Sequence, residues 1–288
     1  MPKGILHTIE DNMSAFSKGQ KRIAHYILEH YDQAAFMTAS KLGELAEVSE
    51  STVVRFAMEL DYEGYPEMQK ALQEMVRSRM TSTQRIQAAG NMYAGQDVLG
   101  SVLQSEMEKL RATAEHADRD AFNLVIEKIV HAKHIYILGA RTSSFVAGYL
   151  NFYLHLLFEN VTLVQSGAAG EIFEQLLRIG EGDVLIAISF PRYSAVTINT
   201  VKFAKDRGAD VVAITDSDKS PTARLADAAL LAPSEMVSFV DSMVTPLSMI
   251  NALLVGLGNR MGTVAADTFG DLENIWNRYG VFGEADDE

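Results

Sequence analysis

Ser51, Thr52 and Arg55 lie in the stretch Ser49-Glu50-Ser51-Thr52-Val53-Val54-Arg55-Phe56. Short hydroxyls and one guanidinium on a helix face suit phosphates and base edges in a DNA major groove. Two other stretches carry a different chemistry. Gly139-Ala140-Arg141-Thr142-Ser143-Ser144 and Ser189-Phe190-Pro191-Arg192-Tyr193-Ser194 each combine hydroxyls with one arginine. At helix N-termini, where backbone amides lack partners, such groups would wrap an anion, most simply a phosphate ester.

The elements that must position the first set are legible. Residues 39–60 read as two short helices joined by a tight turn, with Leu42, Ala46, Val48, Val53 and Phe56 as a shared core. That spacing fits a helix-turn-helix. Gly43 would let the second helix approach the first, and Ser49 would cap the second helix through its hydroxyl. Glu50, Ser51, Thr52 and Arg55 then point outward as the candidate DNA contacts. Around them, helices are expected over 5–16, 18–31, 67–79 and 97–116, with a polar linker over 81–96.

From about residue 118 the pattern alternates between strands and helices. Apolar strands are expected at 135–138, 161–164, 184–188, 211–214 and 228–231. Helices are expected between them at 143–158, 170–179, 194–207 and 220–226, and a closing helix over 242–259. Strands this apolar are buried on both faces, which implies a parallel sheet covered by helices. Open parallel sheets bind ligands at the carboxyl ends of their strands. Both arginine-bearing loops fall there, so Arg141, Ser143, Ser144, Ser189, Arg192 and Ser194 are the candidate effector-binding residues.

Composition bounds these readings. A chain of 288 residues has room for two domains. It has no apolar run long enough for a membrane span, and its N-terminus has no apolar h-region. It has no cysteine, which excludes disulfides and thiolate metal sites. With no export signal, the cytoplasm is the expected compartment. The net charge of −13 argues against broad non-specific nucleic-acid binding. Residues 1–80 carry a net −3, so the candidate DNA domain is less acidic than the rest, and its DNA binding should be strongly salt-sensitive.

Plainer readings compete. Ser143 and Ser194 would serve as simple N-caps, Arg141 and Arg192 would pair with surface carboxylates, and residues 39–60 would be an ordinary helical hairpin. His131, His134 and His155 invite a catalytic or metal reading, but His155 sits in an apolar helix and reads as a packed core histidine. No catalytic residue, metal or cofactor is expected.

The chain resembles the RpiR (MurR/RpiR) family of bacterial transcriptional regulators. The resemblance in the first domain rests on residues 48–56 and on Leu60-Asp61-Tyr62-Glu63-Gly64-Tyr65-Pro66-Glu67, similar to the family's recognition helix and its LGF-GFPE continuation. In the second it rests on Gly139 to Ser143, Gly182 to Ser189 and Ala204 to Asp216, similar to a SIS (sugar isomerase) domain. It implies an all-α helix-turn-helix domain at 1–80, a linker at 81–96, a three-layer αβα SIS domain with a five-stranded parallel sheet at 97–265, and a tail at 266–288. It also implies a double-stranded operator, a homodimer or tetramer, and a sugar phosphate or related anion as effector. The chain departs from the family in several places. The SIS loop S-x-S-G-x-T has Pro191, Arg192 and Ser194 at its second serine, glycine and threonine; Arg141 replaces the second glycine of G-x-G-x-S, and Glu47 the usual turn glycine. Proline offers neither amide nor hydroxyl to a phosphate, whereas arginine offers charge and a bidentate fork. The rival readings are an aldose–ketose phosphate isomerase and a ligand-binding module that meets a protein partner.

Overall fold

The computed structural model describes residues 5–79, 83, 86, 97–165, 167, 169–234 and 240–282. Apart from Thr83 and Ile86, the linker expected over 81–96 lies outside them, as does the acidic stretch 283–288. The chain forms two compact units, Met1–Met92 and Tyr93–Glu288.

The first unit is all-helical: α1 (Ile5–Asn12), α2 (Lys18–Glu29), α3 (Tyr31–Ala34), α4 (Ala39–Leu45), α5 (Glu50–Glu59) and α6 (Tyr65–Arg79). A capping box starts α2: the Ser17 hydroxyl accepts from the Gln20 amide while Gln20 Oε1 accepts from the Ser17 amide. Ile9, Ile23, Ile27, Leu42, Val53, Phe56, Met68 and Leu72 fill one core, with Phe16 against Phe56 at 5.0 Å between ring centroids. On α6, the Tyr65 hydroxyl and Gln69 both donate to the Met37 carbonyl at 2.7 Å. This ties α6 to the residues before α4. Burial pushes the Tyr65 phenol up to about 12.

The second unit begins with α7 (Val98–His116) and α8 (Arg119–Val130). It continues through β1 (Ile135–Gly139), α9 (Ser143–Leu157), β2 (Val161–Val164), α10 (Ala169–Gln175) and β3 (Val184–Ile188). It ends with α11 (Ala195–Asp206), β4 (Asp210–Thr215), β5 (Ala228–Leu231), α12 (Val244–Met261) and α13 (Thr263–Tyr279). The five strands are all parallel, in the order β2-β1-β3-β4-β5. Alternate side chains divide between two cores, as strand geometry requires. Ile135, Ile137, Ile186 and Ile214 meet α8, α9 and α12 on one face, while Tyr136, Leu138, Leu185 and Val211 meet α10 and α11 on the other. The sheet is therefore the middle of three layers.

The structure departs from two expectations and adds one helix. No helix forms over 220–226: the segment makes turns, with Leu225 donating to the Thr222 carbonyl and Ala226 to those of Thr222 and Ala223. A span this short does not offset the cost of nucleating a helix. The tail expected from 266 is helical through Tyr279, where Gly280 closes the helix in the left-handed conformation. The added helix is α8 over 119–130, whose N-cap Asp118 carboxylate accepts from the Asp120 and Ala121 amides at 2.9 Å.

Candidate functional site

The helix-turn-helix is built by α4 and α5. A Cβ on Gly43 would stand 2.9 Å from the Val48 carbonyl oxygen, so the close approach of the two elements needs glycine there. The turn passes through Glu47 at φ 52°, a left-handed conformation that L side chains rarely adopt. Arg22 holds that turn from α2: its Nη2 donates to the Glu47 carbonyl at 2.6 Å and its Nη1 to Glu47 Oε2 at 3.3 Å. Leu42, Ala46, Val53 and Phe56 are buried and Val48 is half-buried.

Glu50, Ser51 and Arg55 are exposed on α5, and Thr52 is half-buried. The Ser49 hydroxyl is corrected. Ser49 occupies the N-cap position, but its side chain makes no cap hydrogen bond; it bonds Ser51 Oγ at 2.9 Å and Thr52 Oγ1 at 2.8 Å. The hydroxyls thus form a polar cluster at the helix start. Arg55 Nε donates to the Ser51 carbonyl at 3.2 Å, which lays the guanidinium along the same helix. Thr52 and Arg55 also line a cleft of about 600 Å³ with Met58, Glu59, Ser17, Gly19 and Gln20. The cleft brings in the start of α2, which spacing within 39–60 does not reveal.

The second candidate site lies at the carboxyl edge of the sheet. Strand order reverses between β1 and β3, which are neighbours in the sheet although β2 intervenes in sequence. Such a switch point opens a crevice where ligands bind. The two arginine-bearing loops are the ones that leave β1 and β3, and the last paired residues are Gly139 and Ile188. Gly139 allows the first loop: a Cβ there would overlap the Ser143 carbonyl oxygen. Arg141 is exposed and left-handed at φ 57°, and its carbonyl accepts from Ser144 Oγ at 2.6 Å and from the Ser144 amide at 3.0 Å. Ser143 is buried in the first turn of α9 while Thr142 holds the N-cap position, so Ser143 is not the cap.

In the second loop Ser189 is buried and its amide donates to the Ile214 carbonyl at 3.0 Å. Arg192 is exposed. Ser194 is the N-cap of α11, its hydroxyl accepting from the Thr197 amide at 3.4 Å.

Further residues, not among the candidate effector contacts, join this edge. The Tyr193 hydroxyl donates to Asp216 at 2.8 and 3.0 Å, and Thr215 Oγ1 donates to Asp216 Oδ1 at 3.1 Å. Burial raises the Asp216 carboxyl above its usual range, against the lowering effect of the Tyr193 and Thr215 hydrogen bonds. Thr197 Oγ1, in the first turn of α11, is buried without a hydrogen-bond partner among the described residues. Thr142 Oγ1 donates to Asp241 Oδ2 at 3.0 Å, ninety-nine residues along the chain. Such long-range pairs leave no periodic signal in a sequence; only Asp216, directly after β4, falls at a strand end that pattern alone could flag.

The histidines lie elsewhere. His134 Nε2 bonds Thr162 Oγ1 at 2.8 Å and its ring stacks on Tyr136, at the amino edge of the sheet. His131 is exposed, with Nδ1 donating to the Glu127 carbonyl. His155 is exposed rather than packed in the core: it lies on the outer side of α9, with Nδ1 on the Asn151 carbonyl at 3.1 Å. A helix apolar in sequence presents this face outward, beside the 61 % exposed Phe152.

Comparison with known proteins decides the family. Residues 3–79 match the helix-turn-helix domain of the rpiR family, and residues 128–256 match the SIS domain. The chain belongs to the RpiR family. Curated relatives include the HTH-type transcriptional regulator HexR of Escherichia coli, 24 % identical over 277 residues that cover 91 % of each chain. HexR of Pseudomonas aeruginosa is 22 % identical over 90 % of this chain and 91 % of its own. Among solved structures, Vibrio vulnificus NanR complexed with ManNAc-6P covers 97 % of this chain and 99 % of its own, at 24 % identity and a TM-score of 0.60. The sugar isomerase domain of an RpiR transcription factor from Sphaerobacter thermophilus covers 62 % of this chain and 99 % of its own, at 27 % identity and a TM-score of 0.59. A helix-turn-helix domain of this family joined to a SIS domain makes this chain a DNA-binding transcriptional regulator.

Proposed function

We propose that this RpiR-family regulator reads a two-fold symmetric operator through Glu50, Ser51, Thr52 and Arg55, as a cytoplasmic homodimer or tetramer. Its SIS domain binds a phosphosugar or related anionic carbohydrate, and binding resets operator affinity. The observation that carries the effector half is topological: the two loops with arginines and hydroxyls are those that flank the β1–β3 switch point. Arg141, Ser143, Ser144, Ser189, Arg192 and Ser194 supply the hydrogen bonds and charge there. A complex of NanR with ManNAc-6P supports a phosphosugar as the ligand class for this fold. Two-fold symmetry of the operator follows from dimeric readers, which bind half-sites about one helical turn apart. Among the described residues no helix is long and apolar enough to cross a membrane.

The test is selection of sheared genomic DNA by the purified full-length protein. A palindromic site should be retained at low salt, and Arg55→Ala should weaken binding to it about 10- to 100-fold. No enrichment by a folded protein would overturn the operator reading and favour a role through a protein partner.

A further inference from the structure

Thr142 in the β1–α9 loop bonds Asp241, and the next residue, Ser242, bonds in the other direction. Its hydroxyl donates to Glu106 Oε2 on α7 at 2.8 Å, 136 residues away in sequence. Glu106 is only 7 % exposed, on a helix whose Leu99, Leu103 and Met107 face outward. A carboxylate is costly to bury unless it is paired and hydrogen-bonded. Lys109 Nζ, on the same helix, pairs with the other oxygen, Oε1, at 3.1 Å, and both side chains are 10 % exposed. Ser242 is itself buried, and its carbonyl accepts from Ser234 Oγ at 2.8 Å. This is a specific buried arrangement whose two ends differ in kind. One end is the first effector loop; the other is the helix that directly follows residues 81–96 and so leads from the DNA-binding domain.

We infer that Asp241 and Ser242 form a relay, and that Glu106 is a positioning residue of the effector site. Glu106 fixes Ser242, Ser242 fixes the backbone before α12, and Asp241 on that backbone fixes the β1–α9 loop. A change in the loop on ligand binding then reaches α7 through two side-chain bonds. The inference rests on the effector reading of this edge, but the mechanical coupling is measurable without any ligand.

The reporters are the amides of Ser143, Ser144 and Phe145, which donate to the carbonyls of Ala140, Arg141 and Thr142. Hydrogen exchange of the full-length, ligand-free protein is compared for wild type, Ser242→Ala, Glu106→Gln and Thr162→Val. Thr162→Val removes the bond to His134 at the opposite edge of the sheet and controls for general loosening. Ser242→Ala should speed exchange of the loop amides about fivefold. Ser242 Oγ also accepts from the Val244 amide at 3.4 Å, so Ser242→Ala alone would not separate the relay from loss of that cap. Glu106→Gln settles this, because it leaves that cap in place and alters only the pairing on α7. It keeps an oxygen for Ser242 but loses the Lys109 ion pair, and should give a smaller acceleration in the same loop. Thr162→Val should leave the loop unchanged. Loop exchange equal to wild type in both relay variants, with faster exchange confined to 240–247, would overturn the relay. Accelerated loop exchange together with operator binding indifferent to every phosphosugar would leave the relay standing and remove the effector reading instead.

Discussion

Glu47, Asp61 and Arg141 share one backbone feature: each is a non-glycine residue at positive φ, 52°, 64° and 57° respectively. All three stand where the resembling family patterns carry glycine, so the turns keep their shape under a side chain that strains them. Glu47→Gly and Asp61→Gly should each stabilise the protein by about 1 kcal/mol, read as a higher urea midpoint; the Arg22 bond to the carbonyl at 47 survives the first change. At 141 the same replacement separates two roles. Arg141→Gly should stabilise the fold and weaken anion binding, so its stability and its affinity should move in opposite directions. Asp216 gives a pH prediction. Burial raises its carboxyl, so it takes up a proton at a higher pH than an ordinary aspartate, and proton uptake deletes a negative charge beside the proposed anion site. Sulfate, whose own charge is constant there, should bind more tightly as the pH falls through the raised range of this carboxyl. Asp216→Asn should remove that dependence; an equal slope in the variant would show that Asp216 does not face the ligand.

At the scale of elements, glycine contacts set the geometry. Gly43→Ala would press a methyl against the Val48 carbonyl, and backbone rather than a flexible side-chain end would have to give. The expected cost is about 1–3 kcal/mol of stability, measured by thermal melting, together with loss of operator binding from displacement of α5. An alanine variant as stable as wild type would show that the α4–α5 approach is looser than described. Much at this scale is legible in the sequence. The apolar spacing of Leu42, Ala46, Val53 and Phe56 predicts the two helices because burial enforces it, and the strands announce themselves as short apolar runs, the central β1, β3 and β4 almost wholly buried and the edge strands β2 and β5 partly so. Other elements are illegible for physical reasons. Helix α13 carries Val264, Phe269, Ile275 and Tyr279 exposed and buries only Ala265, so its pattern marks no core face. The turns over 220–226 hold helix-forming residues, but the span is too short to offset helix nucleation. Of the candidate site, the two loops could be read from strand ends; Tyr193–Asp216, Thr142–Asp241 and the cleft at the start of α2 are tertiary pairings without local signature.

At the scale of the whole molecule, two compact units with different chemistries share one chain. Exposed hydroxyls and an arginine on α5 suit DNA, whereas a parallel sheet with a loop-lined switch point suits a small anion. Such a pairing is useful only if occupancy of one site changes affinity at the other, a coupling typically of about 1–3 kcal/mol. Operator binding should weaken with salt, because each Lys or Arg contact to a phosphate releases counterions, while the net charge of −13 keeps non-specific binding weak. The central claim is that the SIS domain controls the DNA reader through an anion held by Arg192. The most direct measurement titrates the full-length protein on its selected operator with a panel of phosphosugars, for wild type and Arg192→Ala. At least one phosphosugar should shift the wild-type operator Kd about 5- to 150-fold, and Arg192→Ala should bind the operator normally but lose most of that shift. A shift of undiminished size in Arg192→Ala, or a wild-type operator Kd unmoved by every phosphosugar, would contradict it.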